Sequence, residues 1–122
     1  MDFLAVGLGG FVGAVCRYLI GTMPIRETMI FPIKTFGINI LGCVAIAVIT
    51  VMAAKHTDLN PNMLLFLKVG LCGGFTTFST FALETSDLIK NGNTMMAFLY
   101  VAGSVIVGVG AIFCMEWILA KN

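Results

Sequence analysis

The chain has 122 residues, 59% of them hydrophobic and 11% charged, with a mean hydropathy of +1.03 and a formal net charge of +1. Soluble domains carry roughly 25% charged residues, so this composition excludes a soluble globular domain. It leaves a single membrane domain without the basic surface that nucleic acid requires.

A helix needs about 20 apolar residues to cross a hydrocarbon core about 30 Å thick. Four such stretches follow one another, at about 3–22, 33–54, 63–89 and 95–119. The expected fold class is therefore an all-α membrane protein of four transmembrane helices, with the third broken near its middle. No basic residue precedes the first apolar run and no small-residue cleavage pattern closes it, so it reads as a span and not as a signal peptide.

The first span contains "GGFVGAVCRYLIG" (9–21). Gly9 and Gly13 form G-x-x-x-G, the spacing at which small residues let helix backbones approach closely in lipid. Arg17 has two readings. Either it snorkels to the headgroups beside an interfacial Tyr18, or it faces a water-filled cavity and gathers anions.

A loop with two prolines, "MPIRETMIFPIK", leads to the second span, which opens with "TFGINILG" (35–42). A buried asparagine such as Asn39 is either interhelical glue or an amide donor to a passing anion. The loop "KHTDLNPN" then leads to the third span and its stretch "GLCGGFTTFSTF" (70–81). Gly70, Gly73 and Gly74 weaken a helix by up to about 1 kcal/mol each relative to alanine, and the hydroxyls of Thr76 and Thr77 compete for its backbone groups.

A break is the expected result, and in lipid a break belongs where protein or a cavity surrounds it. It frees carbonyl oxygens within residues 73–77, which either coordinate a structural Na+ or are satisfied by neighbouring helices. Phe78 and Phe81 share a helix face, flanked by Ser79 and Thr80. Their rings are either packing or positive edges turned toward an anion. In the fourth span Tyr100 and Ser104, at i and i+4, extend the line of hydroxyls. Glu84 is either a charge at a pore mouth or a carboxylate capping the span.

The four cysteines, Cys16, Cys43, Cys72 and Cys114, have no C-x-x-C spacing and read as buried free thiols. His56 is alone in a loop, the serines lack a base and the acids are scattered, so no enzyme is expected. Lysine and arginine are balanced across the membrane. Lys55, Lys68 and Lys121 fall on one side, Arg26, Lys34 and Lys90 on the other, with Arg17 ambiguous. Orientation normally follows an excess of such residues on one side. Without one, either another feature fixes a single orientation, or both are inserted and an antiparallel pair is the working unit.

The blocks "GGFVGAVCRY" (9–18), "TFGINILG" (35–42) and "GLCGGFTTFSTF" (70–81) resemble, in order and spacing, the signature blocks of the Fluc fluoride channels. The resemblance covers essentially the whole chain. It implies a bacterial inner-membrane channel that lets fluoride leave passively and protects the cell from its toxicity. The implied assembly is an antiparallel, dual-topology homodimer with two pores and a central structural Na+. The resemblance also assigns Asn39, Phe78, Ser79, Thr80 and Phe81 to the fluoride path, with Tyr100 and Ser104 as a less closely matched extension. Arg17 goes to the vestibule, and the backbone carbonyls of Gly73 and Thr76 go to Na+. The rival is a small multidrug-resistance exporter. Its coupling chemistry needs a carboxylate buried in the first helix, where this chain has Arg17 and no acid beyond Asp2.

Overall fold

The computed structural model describes residues 1–25 and 29–122. Arg26 of the charge comparison lies outside them. The described residues form α1 (Asp2–Gly21), α2 (Ile33–Lys55), a composite third span and α6 (Thr94–Ala120). The third span runs through α3 (Pro61–Leu64), a π-helical segment π1 (Leu65–Cys72) and α4 (Gly73–Phe75), then resumes after a break as α5 (Phe78–Lys90). Four helices are long and apolar enough to cross a membrane, the third being the whole of Pro61–Lys90. The protein is a multi-pass membrane protein.

Local signals set the ends. Asn60 caps α3 by accepting Asn62 N–H on its side-chain oxygen at 2.9 Å, with Pro61 in the first turn where its missing N–H costs nothing. Lys34 Nζ donates to the Gly21 carbonyl at the end of α1 (3.1 Å), and Lys55 Nζ donates to the Leu119 carbonyl near the end of α6. Both place a cation on helix C-terminal carbonyls. The turn between α5 and α6 passes through Gly92, whose φ of 82° lies in the region that glycine tolerates without strain.

Small residues bring α1 against the third span. A Cβ on Gly9 would run into the Phe66 carbonyl, one on Gly13 into the Leu71 carbonyl, and one on Gly74 into the Gly10 carbonyl. A Cβ on Gly70 would sit 2.7 Å from the Val6 carbonyl and 2.8 Å from Gly9 Cα. Here the structure corrects the sequence reading. Gly73 and Gly74 remain helical, and the chain leaves the helix at Thr76 and Thr77. Gly70 and Gly74 serve close packing, so the threonines carry the break.

The small core lies at one end of the bundle. Tyr100 is wholly buried, with Leu88 and Ala97 around it and Phe31, Phe36, Phe81 and Met96 packed outside. Phe31 and Phe81 meet the Tyr100 ring edge-on, with centroids 5.4 and 4.9 Å away. Large apolar side chains elsewhere, including Phe3, Phe11, Phe113 and Trp117, point outward, as a surface solvated by lipid allows. Cys72 is buried and Cys43 half-buried, but Cys16 and Cys114 lie on outer faces. The expectation of four buried thiols therefore fails for those two.

Candidate functional site

The break has extended geometry, with φ −79° and ψ 158° at Thr76, and φ −146° and ψ 118° at Thr77. Side chains hold it open. The Asn39 amide on α2 reads both backbone groups of Thr77, donating from Nδ2 to the carbonyl (3.1 Å) and accepting the N–H on Oδ1 (2.9 Å). The Thr77 hydroxyl caps α5 by accepting Thr80 N–H (3.2 Å) and donates to Thr80 Oγ1 (3.1 Å). Thr76 folds back, its N–H and hydroxyl both donating to the Cys72 carbonyl at 3.0 and 2.8 Å.

Two carbonyls lose their helical donors as a result. In a continuous helix Thr77 N–H would bond the Gly73 carbonyl and Thr80 N–H the Thr76 carbonyl. Here those donors go to Asn39 and to the Thr77 hydroxyl. Among the described residues no group of three or more His, Cys, Asp or Glu side chains is placed to hold a metal ion. The oxygens at the break are backbone carbonyls, threonine hydroxyls and the Asn39 amide.

Two clefts meet here. The first, of about 430 Å³, is lined by Asn39, Lys68, Cys72, Gly73, Thr76, Thr77, Phe78, Phe81 and Ser104 among others. The second, of about 390 Å³, is lined by Arg17, Lys34, Thr35, Thr77, Thr80 and Glu84 among others. Thr77 lines both and Asn39 lines the first, and the Asn39–Thr77 pair, where the two linings share a residue, is termed the waist below.

Hydrogen donors gather at that waist. Asn39 uses one amide hydrogen on Thr77 and keeps the other for the cleft it lines. Thr80 accepts the Thr77 hydroxyl and so keeps its own hydrogen to donate. Ser104 Oγ on α6 is buried without a partner, as is Arg17 Nε on α1. Buried polar atoms are normally satisfied; these two are not, and the residues that carry them each line one of the clefts. Arg17 lines the second cleft.

The first cleft also holds aromatic rings. Phe78 and Phe81 have centroids 5.8 Å apart at an interplanar angle of 47°. Phe81 is fixed by Tyr100, whereas Phe78 is 79% exposed on this chain. Tyr100 lies behind the clefts and reaches the second through Glu84. Its hydroxyl donates to Glu84 Oε2 and the Thr35 hydroxyl donates to Oε1, each at 2.7 Å. Glu84 is therefore neither a bare charge nor a mere cap, since both its oxygens already accept hydrogen bonds. Ser79 lines neither cleft, though its Oγ lies 3.4 Å from Thr77 Oγ1.

Of the residues singled out in the sequence, Asn39, Gly73, Thr76, Phe78, Phe81 and Ser104 come together in the first cleft, and Arg17 and Thr80 in the second. Thr35, Thr77 and Lys68 were not singled out as site residues. Thr35 lies 49 positions from its partner Glu84, beyond any local spacing rule. Thr77 was legible only as part of the break, and Lys68 only in the balance of lysine and arginine across the membrane.

The family model described as CrcB-like protein, Camphor Resistance (CrcB), matches residues 4–115. A protein of Chlorobaculum tepidum named "Fluoride-specific ion channel FluC" is 46% identical over 113 residues, covering 92% of this chain and 89% of that protein. Proteins of the same name from Chlorobium phaeobacteroides and Phocaeicola vulgatus are each 41% identical. The matches cover 91% of this chain and 86% of the first, and 95% of this chain and 96% of the second.

Proposed function

Because the chain belongs to the CrcB family, we propose that it is a fluoride-selective ion channel, giving passive fluoride efflux across the bacterial inner membrane and protecting the cell from fluoride. The observation that carries this reading is the convergence at Thr77 of two cation-bearing clefts with amide and hydroxyl donors between them. Relatives that match along most of their length bear the fluoride-channel name.

The chemistry follows from the ion. Fluoride is small and strongly hydrated, so its water must be replaced at each point along a narrow route. Asn39, Thr80 and Ser104 supply N–H and O–H hydrogens, while Ser79, which lines neither cleft, reaches the route only through its 3.4 Å approach to Thr77 Oγ1. The rings of Phe78 and Phe81 supply positive edges, which suit an anion where their faces do not. Arg17 draws the anion toward the vestibule. Glu84 is compatible with an anion route because Thr35 and Tyr100 hold both its oxygens and Arg17 lines the same cleft. A passive route is enough for export, since hydrogen fluoride that enters as the neutral acid dissociates in a near-neutral cytoplasm and leaves fluoride there at high concentration.

The working unit in this reading is an antiparallel, dual-topology homodimer with two pores. The outward Phe78 is compatible with it, because a ring 79% exposed on one chain is open to a second chain as well as to lipid. The Gly73 and Thr76 carbonyls, relieved of their helical donors, fit a structural Na+ on the dimer axis. The multidrug exporter reading fails on chemistry, since α1 offers Arg17 where coupling needs a buried carboxylate.

The test is efflux from proteoliposomes containing the purified protein, followed with fluoride- and chloride-selective electrodes with and without Na+. Fluoride flux well above chloride flux is expected, and Phe78→Ile and Phe81→Ile should both reduce it. Equal flux of the two anions overturns the selective-channel reading. Unchanged flux in both phenylalanine variants overturns the ring-edge role.

A further inference from the structure

In the sequence Lys68 counts only in the balance of lysine and arginine across the membrane. The structure puts it seven residues past the start of the third span, in the second half of a turn of π1. At a helical rise of 1.5 Å per residue this is roughly 10 Å along the span. It lines the first cleft together with Asn39, Thr77, Phe78 and Ser104. The i→i+5 bonding of π1 widens each turn, so Lys68, Cys72 and Gly73 stand above one another on the cleft wall. A π-helical segment of eight residues is rare, and such turns gather at functional sites.

The electrostatics of the cleft single this residue out. Among the described residues lining the first cleft, Lys68 is the only Lys, Arg, Asp or Glu. The second cleft has its own cations in Arg17 and Lys34. Thr77 lines both clefts, so each cleft that touches this threonine has at least one cation in its wall. A lysine stem also lies along apolar surface while its ammonium group reaches outward, and this alone would send Lys68 to the headgroups without touching the route. Against that, the cleft that Lys68 lines also has Asn39, Thr76, Thr77 and Ser104 in its wall, a polar surface that suits a polar guest.

We propose that Lys68 is the anion-gathering cation of the first cleft, raising the local fluoride concentration at the mouth opposite Arg17. The assignment rests on the channel reading above. Lys68 acts by its charge and at a distance, so it sets how fast fluoride enters and not which anion passes the waist.

The experiment compares the parent protein with K68Q, K68M and K68R in proteoliposomes, at low fluoride, in about 0.01 M and about 1 M of a salt with an impermeant organic anion. The Debye length falls from about 30 Å to about 3 Å across that range. At low salt, K68Q and K68M should each pass fluoride about three- to five-fold more slowly, as expected for loss of one screened charge near the entry, while K68R keeps the parent rate. At high salt the difference should vanish. Equal rates at low salt overturn the assignment, and so does a loss that persists unchanged at high salt, which marks a structural role. K68M preserves the apolar stem and helix propensity, and it carries the comparison if K68Q does not assemble. A parent protein silent toward fluoride overturns the channel reading itself, and the Lys68 assignment falls with it. A parent that conducts beside neutral variants that match it overturns the assignment alone.

Discussion

Asn39 is the side chain whose loss should report most directly on the break. Its amide makes two hydrogen bonds to the backbone of Thr77, at 3.1 and 2.9 Å. Interhelical hydrogen bonds within membranes average about 0.6 and reach about 1.7 kcal/mol each. Removing both in Asn39→Ala should therefore cost about 1–3 kcal/mol, toward the upper end because Thr77 is buried and its N–H and carbonyl are left unpaired. Asn39→Asp separates structure from conduction. It keeps an acceptor for Thr77 N–H but sets a second oxygen where Nδ2 met the Thr77 carbonyl, and it adds a negative charge at the waist between the clefts. At an effective dielectric near 20, a unit charge roughly 6 Å from a passing anion costs about 3 kcal/mol, on the order of 100-fold in flux. Reversible unfolding in mixed micelles, followed by helical circular dichroism, measures the first effect and fluoride efflux measures the second. An alanine variant within about 0.3 kcal/mol of the parent, or an aspartate variant conducting at the parent rate, would refute the reasoning.

Other outcomes follow from the same geometry. Tyr100→Phe should remove the 2.7 Å bond to Glu84 Oε2 and destabilise by about 1–2 kcal/mol, and Thr35→Val should do the same at Oε1. Because both donors serve one carboxylate, the pair should be non-additive in a double-mutant cycle, and strict additivity would count against a shared network. Gly74→Ala should abolish folded protein on size-exclusion chromatography, because its Cβ meets the backbone of Gly10, whereas Gly73→Ala, with no atom within 4 Å, should leave the chain's own fold intact. Phe81→Ala should lower stability by about 3 kcal/mol or more through its lost packing on Tyr100. Phe78→Ala should change chain stability far less, since that ring is mostly exposed.

What was legible in the sequence followed from local chemistry. Apolar runs located the four helices, and adjacent hydroxyls in "GGFTTFSTF" located the break, because both signals act within a few residues. The G-x-x-x-G of α1 also read correctly, since close approach is what the missing Cβ permits. The roles of Gly70 and Gly74 did not, and the reason is physical. A glycine that loosens its own helix and one that admits a neighbouring helix lack the same atom, and only the presence of Gly9 and Gly10 across the contact decides between them. The π-helical turns left no signature, because i→i+5 bonding needs no residue type that i→i+4 excludes. The Thr35–Glu84–Tyr100 network joins three separate helices, so no spacing within one helix reveals it.

The break sorts opposite charges by direction. Pro61–Phe75 presents a helical C-terminus to it, where carbonyl oxygens accumulate partial negative charge, and α5 presents an N-terminus, where N–H groups accumulate partial positive charge. A continuous helix would cancel these ends against each other. Asn39 and the Thr77 hydroxyl hold the gap open by taking two of the four N–H donors, those of Thr77 and Thr80, that would have bridged it. The Gly73 and Thr76 oxygens thereby lose those helical donors on one side, while Thr80 and Phe78 stand at the positive end of α5 on the other. The proposed cation and anion duties thus need no acidic or basic side chain at the waist itself. In the proposed channel the charged residues that line the clefts, Arg17 and Lys68, attract an anion without binding it too tightly to leave.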